Sequence, residues 1–216
     1  MVKVITPAEA AAMVPDGATV MFGGFMGCGS PHSVISAMMD HGNKEMTIVC
    51  NDAGFPDYGV GKLVVDKRFK KFIGTHVGLN PSVAEQMNAG TLDVQLIPQG
   101  TFAERIRSAG AGLGGFLTPT GVGTPVEEGK QKMTFNGKTY LLEMPLFGDV
   151  ALLKAHKADE AGNLIYRGST RNFNPLMASA AKLVIAEIDE LVPVGSIDPD
   201  QVHTPAIFVD YLVLRK

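Results

Sequence analysis

Between residues 23 and 31 the chain reads Gly23-Gly24-Phe25-Met26-Gly27-Cys28-Gly29-Ser30-Pro31, a run whose chemistry would come from its backbone. Glycines let N–H groups approach a ligand closely. A helix beginning near Ser30-Pro31 would add its positive end, a seat for phosphate or carboxylate. The spacing refuses a dinucleotide fingerprint, because after Gly27 and Gly29 the third glycine belongs at position 32, where His32 stands. Walker-type phosphate loops fail too. Gly61-Lys62 is followed by Leu63 and Gly129-Lys130 by Gln131, so neither has the hydroxyl that holds magnesium. Read alone, the loop suits a ligand seat and a merely tight turn equally well.

Other chemistry-bearing residues are sparse. Glu127 and Glu128 could form a carboxylate pair, but neighbours on extended backbone point to opposite faces, and they read better as solvated residues approaching a hairpin. His32, His41, His76, His156 and His203 show no ligand spacing, and Cys28 and Cys50 are too few for a disulfide framework or a zinc site. No metal is expected. Gln99 by itself reads as a loop hydrogen-bonder.

Strands alternating with helices must position these residues. Thr6-Pro7-Ala8-Glu9 is a capping box with proline at the first helical position, predicting a helix over 7–14. Asp16-Gly17 turns the chain into a buried strand over 18–25. The next helix runs from Ser30-Pro31 to Gly42, its C-terminal cap. A strand over 46–50 precedes a glycine-rich stretch to Gly61. The grammar repeats: strand 69–77, a helix capped by Asn80-Pro81 and stopped at Gly90, strand 94–97, and a helix to Gly110 opened by Thr101 and Glu104 as a second capping box. Asn136-Gly137 between 133–135 and 139–142 is a strong hairpin signal. Strands follow at 150–155, 164–166 and 183–188, with a helix over 175–182. The expected fold is an α/β sheet covered on both faces, with the hairpin as an antiparallel elaboration, and ligands where strand ends feed into loops.

The composition narrows the function classes. A chain of 216 residues, 45% hydrophobic and 19% charged, is long enough for one domain (1–216) with a full core. With 19 basic against 22 acidic residues it offers no concentrated basic face for nucleic acid. The one basic cluster, 67–71, reads as the solvated start of a strand. No apolar run approaches the ~18 residues of a membrane span, and the acidic Glu9 and Asp16 do not fit a secretory signal; a reduced, cytoplasmic setting fits best.

Asp16-Gly17, then Gly23-Gly24-Phe25 and Gly29-x-Pro31, resembles the signature of family I CoA-transferase α subunits. The resemblance continues through Asn51-Asp52, GTHVGLNP at 74–81, Pro98-Gln99-Gly100-Thr101 running into Ala103-Glu104-Arg105-Ile106-Arg107, and GAGLGGFLTPTGVG at 110–123. It extends through Glu127-Glu128-Gly129, DEAGN at 159–163 and Arg171-Asn172-Phe173-Asn174, and so covers essentially the whole chain. It is nearest in character to the acetate/acetoacetate/butyrate type.

The resemblance implies a three-layer α/β/α CoA-transferase-type domain, related to the sugar-phosphate isomerase-like superfamily. It implies a partner β subunit in an α2β2 assembly, carrying the nucleophilic glutamate within a Ser-Glu-Asn-Gly segment that this chain lacks. Coenzyme A enters as a substrate, with no tightly bound cofactor, and the other substrates are acyl-CoA and short carboxylic acids. Gln99 aligns with the oxyanion-stabilising glutamine. Gly23, Gly24, Phe25, Met26, Gly27, Cys28 and Gly29 form the CoA-contacting loop. Asn51 and Asn80, at strand ends, suit contacts to CoA or substrate as well as turn and cap roles. Arg171–Asn174 suits the acid pocket or a helix cap, and 110–123 a flap or interface. The rival readings are a non-enzymatic effector-binding domain of the same superfamily and a complete phosphosugar isomerase. The first lacks an appended DNA-binding segment, the second an assembled acid/base set.

Overall fold

The computed structural model describes residues 1–215. Thr6 caps helix α1 (Pro7–Ala12) by accepting the Glu9 N–H at 3.1 Å, while the Glu9 carboxylate accepts the Thr6 N–H at 2.7 Å. This reciprocal closure satisfies two donors that helix geometry leaves orphaned. Strand β1 (Lys3–Ile5) precedes it and β2 (Thr19–Phe22) follows. Helix α2 (His32–His41) ends at Gly42, whose φ of 89° lies in the left-handed region, where glycine alone has no Cβ penalty. Then come β3 (Met46–Val49), α3 (Gly61–Val65), β4 (Phe69–Gly74), α4 (Pro81–Asn88), β5 (Asp93–Leu96) and α5 (Gln99–Gly110). A small antiparallel sheet of β6 (Phe116–Thr118), β7 (Lys132–Phe135) and β8 (Lys138–Glu143) interrupts the alternation. The chain returns through β9 (Gly148–Asp159), β10 (Leu164–Ile165), α6 (Asn174–Ala178), β11 (Ala181–Val192) and β12 (Tyr211–Leu214).

The main sheet runs β1-β12-β11-β9-β2-β3-β4-β5, parallel throughout, with β10 antiparallel on β9. Its central strands are buried on both faces. Val20, Phe22, Ile48, Phe72 and Leu152 pack under α1 to α4, whereas Met21, Val49, Ile73, Ala151 and Leu153 pack under α5 and α6. Alternating strand residues thus feed two cores, which explains continuous apolar runs in place of an apolar–polar alternation. β2 pairs with β9 only as far as Phe22 opposite Leu152, so β9 and β11 project beyond it. No helix of the described residues is long and apolar enough to cross a membrane.

The α/β class and the hairpin match the sequence reading; Asn136 (φ 50°) and Gly137 (φ 75°) make its turn. Several details differ. The strands expected over 18–25 and 69–77 stop at Phe22 and Gly74, where glycine-rich turns take over. Those expected at 150–155 and 183–188 grow into twelve-residue strands because they pair with each other over ten positions. The helix expected over 175–182 covers only 174–178, since Ala181 already pairs with Gly148. Thr101 does not cap α5: the helix starts at Gln99 after Pro98, and the Thr101 hydroxyl lies buried without a partner. β1, α3, β6 and β12 went unread, each being five residues or fewer. In the basic cluster, Arg68 is not simply solvated; it donates to the Met39 and Asn43 carbonyls at 3.2 Å, fastening the end of α2. Glu127 behaves as expected of a surface residue, accepting the Gly123 N–H at 2.7 Å and pairing with Lys132 at 2.6 Å.

Candidate functional site

The carboxyl ends of four adjacent strands, β2 to β5, release their loops on one side of the sheet, where open α/β sheets place ligands. There they wall a cleft of about 400 Å³. Phe25 and Met26 come from the loop after β2, Asn51 and Asp52 from the end of β3. Thr75, His76 and Leu79 follow β4, and Ile97, Pro98 and Gln99 follow β5.

A directed chain of hydrogen bonds runs along one wall. The exposed Gln99 amide donates from Nε2 to Asn51 Oδ1 at 2.8 Å. Asn51, buried, accepts at the same oxygen from the Thr75 hydroxyl (3.1 Å) and donates from Nδ2 to Asp52 Oδ2 at 3.0 Å. Asp52, also buried, accepts the Met26 N–H at Oδ2 (2.8 Å) and the Gly54 N–H at Oδ1 (3.0 Å). A primary amide has two N–H groups, so Gln99 keeps one for an occupant of the cleft. Beneath the wall, burial pushes the Cys50 thiol well up, with the Asp52 charge adding to it.

The glycine loop is more compact than a bare ligand seat. Phe25 and Cys28 exchange backbone hydrogen bonds at 3.0 and 2.9 Å across Met26 (φ 50°) and Gly27 (φ 79°), a tight turn that needs left-handed backbone at both central residues. The tip side chains Phe25 and Met26 stand exposed beside the cleft. Gly23, Gly24 and Gly27 line a narrow crevice behind it. Cys28 faces away, toward a second cavity lined by Lys154, His156, Arg167 and Thr170. A Cβ at Gly23 would sit 1.8 Å from Asn174 Oδ1, and one at Gly24 would sit 2.3 Å from Ser30 Oγ. These glycines are required by protein packing against the loop.

The positive end of α2, expected as an anion seat, is already occupied. The Glu187 carboxylate, reaching from β11, accepts the Ser33 and Val34 N–H groups at 2.8 and 3.2 Å. Burial raises the Glu187 carboxyl above the usual range, against the opposing effect of those N–H bonds. His32 lies under the loop against Tyr58, ring centroids 4.4 Å apart, and burial lowers its imidazole pKa.

Of the residues singled out from sequence, Gln99, Asn51, Phe25 and Met26 come together in the cleft. Asn80 does not line it: buried, it caps α4 through the Ser82 N–H (3.3 Å) and ties down the Ala53 carbonyl (3.3 Å). Asn172 and Asn174 brace the glycine loop, donating to the Cys28 and Gly29 carbonyls at 2.9 and 3.0 Å. Asp52, Thr75 and His76 received no role from the sequence, although each falls inside a block that carried the resemblance. Among the described residues no three His, Cys, Asp or Glu side chains are grouped to hold a metal ion.

Comparison with known proteins bears on this arrangement. The family described as coenzyme A transferase matches residues 4–215. The acetate CoA-transferase subunit alpha of Escherichia coli (strain K12) is 50% identical over 214 residues, covering 99% of this chain and 97% of that one. The acetoacetyl-CoA:acetate/butyrate CoA transferase alpha subunit of Clostridium acetobutylicum is 44% identical, covering 98% and 97%. Among solved structures, an acyl-CoA transferase from E. coli O157:H7, in a thioester complex with CoA, superposes with a TM-score of 0.90 at 22% identity. It covers 99% of this chain but only 47% of its own, a likeness that speaks for the fold. On the full-length match and these identities, this chain belongs to the coenzyme A transferase family, in its α-subunit class.

Proposed function

We infer that this chain is the α half of an enzyme that moves CoA between a short-chain acyl-CoA and a free short-chain acid or 3-oxoacid. One observation carries the reading: the cleft offers a fixed hydrogen-bond donor but no available carboxylate. Asp52 is the only carboxylate lining it among the described residues, and its two oxygens already accept three N–H groups. This supports a nucleophile supplied by another chain, which the family resemblance gives as a glutamate of a β subunit in an assembly such as α2β2.

In this mechanism the partner's γ-carboxylate attacks the thioester carbonyl, passing through a tetrahedral oxyanion to a mixed anhydride and free CoA thiolate. The thiolate attacks the glutamyl carbonyl, releasing the first acid and leaving a glutamyl–CoA thioester. A second acid then attacks that thioester, and the steps run in reverse. Every addition places negative charge on a former carbonyl oxygen, and Gln99 supplies a donor there. Preorganised donors of this kind are each worth roughly 3 kcal/mol in the transition state. Because Gln99 is neutral, it adds no permanent charge beside two carboxylates. The loop from Gly23 to Gly29 contacts CoA through its apolar tip, Phe25 and Met26, and Asn51 holds Gln99 in place.

The test is reconstitution with and without a β chain bearing the Ser-Glu-Asn-Gly segment, measuring CoA transfer from acetoacetyl-CoA to acetate. Activity is expected only in the mixture. Full-rate transfer by this chain alone would refute the division of roles.

A further inference from the structure

We propose that Asp52 is the positioning residue of the oxyanion donor, setting the direction of the Gln99 amide through Asn51. The proposal rests on the reading of Gln99 as that donor. Side-chain amides are nearly symmetric in shape but opposite in polarity at their two ends. A Gln99 amide turned end for end would present a carbonyl oxygen where negative charge develops, replacing attraction with repulsion. Something must fix its sense. Asn51 cannot do so unaided, because its own amide has the same ambiguity, and the Thr75 hydroxyl shares its one proton between the Asn51 backbone carbonyl at 2.8 Å and Asn51 Oδ1 at 3.1 Å, which fixes neither sense.

Asp52 removes the ambiguity. Three N–H groups, from Met26, Gly54 and Asn51, converge on its two oxygens at 2.8 to 3.0 Å, so it acts purely as an acceptor. That obliges Asn51 to turn Nδ2 toward Asp52 and Oδ1 toward Gln99, and obliges Gln99 to turn Nε2 inward at 2.8 Å. The polarity of the whole wall is therefore decided at one buried carboxylate. The same Oδ2 atom also holds the Met26 N–H at the tip of the glycine loop, and Oδ1 closes the turn after β3. Asp52 thus couples the donor on α5 to the loop that faces it across the cleft.

Asp52→Ala and the isosteric Asp52→Asn are compared in the assembled enzyme, each with and without Gln99→Ala. Asp52→Asn preserves volume but can satisfy at most two of the three N–H groups, so it remains informative if Asp52→Ala fails to fold. The expected result is a fall in kcat of about ten- to a hundredfold for Asp52→Ala and a smaller one for Asp52→Asn, with KM within about twofold, as for loss of transition-state stabilisation. In the Gln99→Ala background neither change should lower kcat much further, since residues acting through one group are not additive. Equal fold-losses in both backgrounds, or none in either, would overturn the role of Asp52. A Gln99→Ala variant with parental kcat would instead remove the oxyanion reading beneath it.

Discussion

Replacing Gly23 by alanine adds one methyl group in a backbone conformation open to any residue, so its effect is steric alone. The new Cβ would lie 1.8 Å from Asn174 Oδ1 and 2.6 Å from its Cγ, far inside contact distance. Gly23 cannot withdraw freely, being held to β9 by its N–H bond to the Leu152 carbonyl at 3.0 Å. Asn174 must give way, and it is fully buried. Its amide accepts the Lys154 N–H (2.9 Å) and donates to the Gly29 and Thr170 carbonyls (3.0 and 2.9 Å). Leaving buried polar groups unpaired costs roughly 1–3 kcal/mol each, so with partial relaxation Gly23→Ala should destabilise by about 3–5 kcal/mol. Asn174→Ala breaks the same bonds and should cost about 3 kcal/mol, while opening the space the new methyl needs. The double variant should therefore cost little more than Asn174→Ala alone, a favourable coupling of about 3 kcal/mol. Urea denaturation of the four proteins in parallel measures this cycle. Additive losses, or a Gly23→Ala variant within about 1 kcal/mol of the parent, would refute the packing argument. Bulk at these glycines is expected to impair folding before binding, because Asn174 and Ser30 fill the Cβ positions of Gly23 and Gly24.

Gln99→Ala should lower kcat by about 100- to 1,000-fold with KM for acyl-CoA little changed, because one donor is lost only where charge develops; steady-state kinetics on the assembled enzyme decide this, and a parental kcat would dismiss Gln99. Incubation with acyl-CoA and no acceptor, then borohydride reduction and peptide mass spectrometry, should show the reduced glutamate in the β chain alone; its appearance at Glu127, Glu128 or another glutamate of this chain would reverse the roles. Burial raises the Glu187 carboxyl pKa, so the folded chain binds that proton more tightly than the unfolded chain. Its contribution to stability is full at low pH and is lost as pH rises from the ordinary carboxylate range through the raised value. Melting temperatures across that window should fall less for Glu187→Gln than for the parent, and parallel curves would contradict the linkage.

What the sequence determined by itself was local or carried by resemblance. Thr6 and Glu9 form their box, Asn80 caps α4, Gly42 ends α2 and Asn136-Gly137 turns the hairpin, because each signal is closed by partners within four residues. The blocks from Asp16 to Asn174 identified the family without any coordinates. What only the tertiary structure decided lies between residues far apart in the chain. Glu187 fills the N-terminus of α2 from 154 positions away, Asn174 fills the space that makes Gly23 obligatory, and Gln99 meets Asn51 across 48 residues. No periodicity records such meetings. They follow from the order in which the parallel strands lie in the sheet, and that order sets which strand ends open onto a common cleft. The start of α5 is a case of the same kind. Sequence rules favoured Thr101 as its cap, but β5 ends at Leu96 and the chain enters the helix directly after Pro98. This carries Gln99 to the rim of the cleft and buries the Thr101 hydroxyl inside the helix.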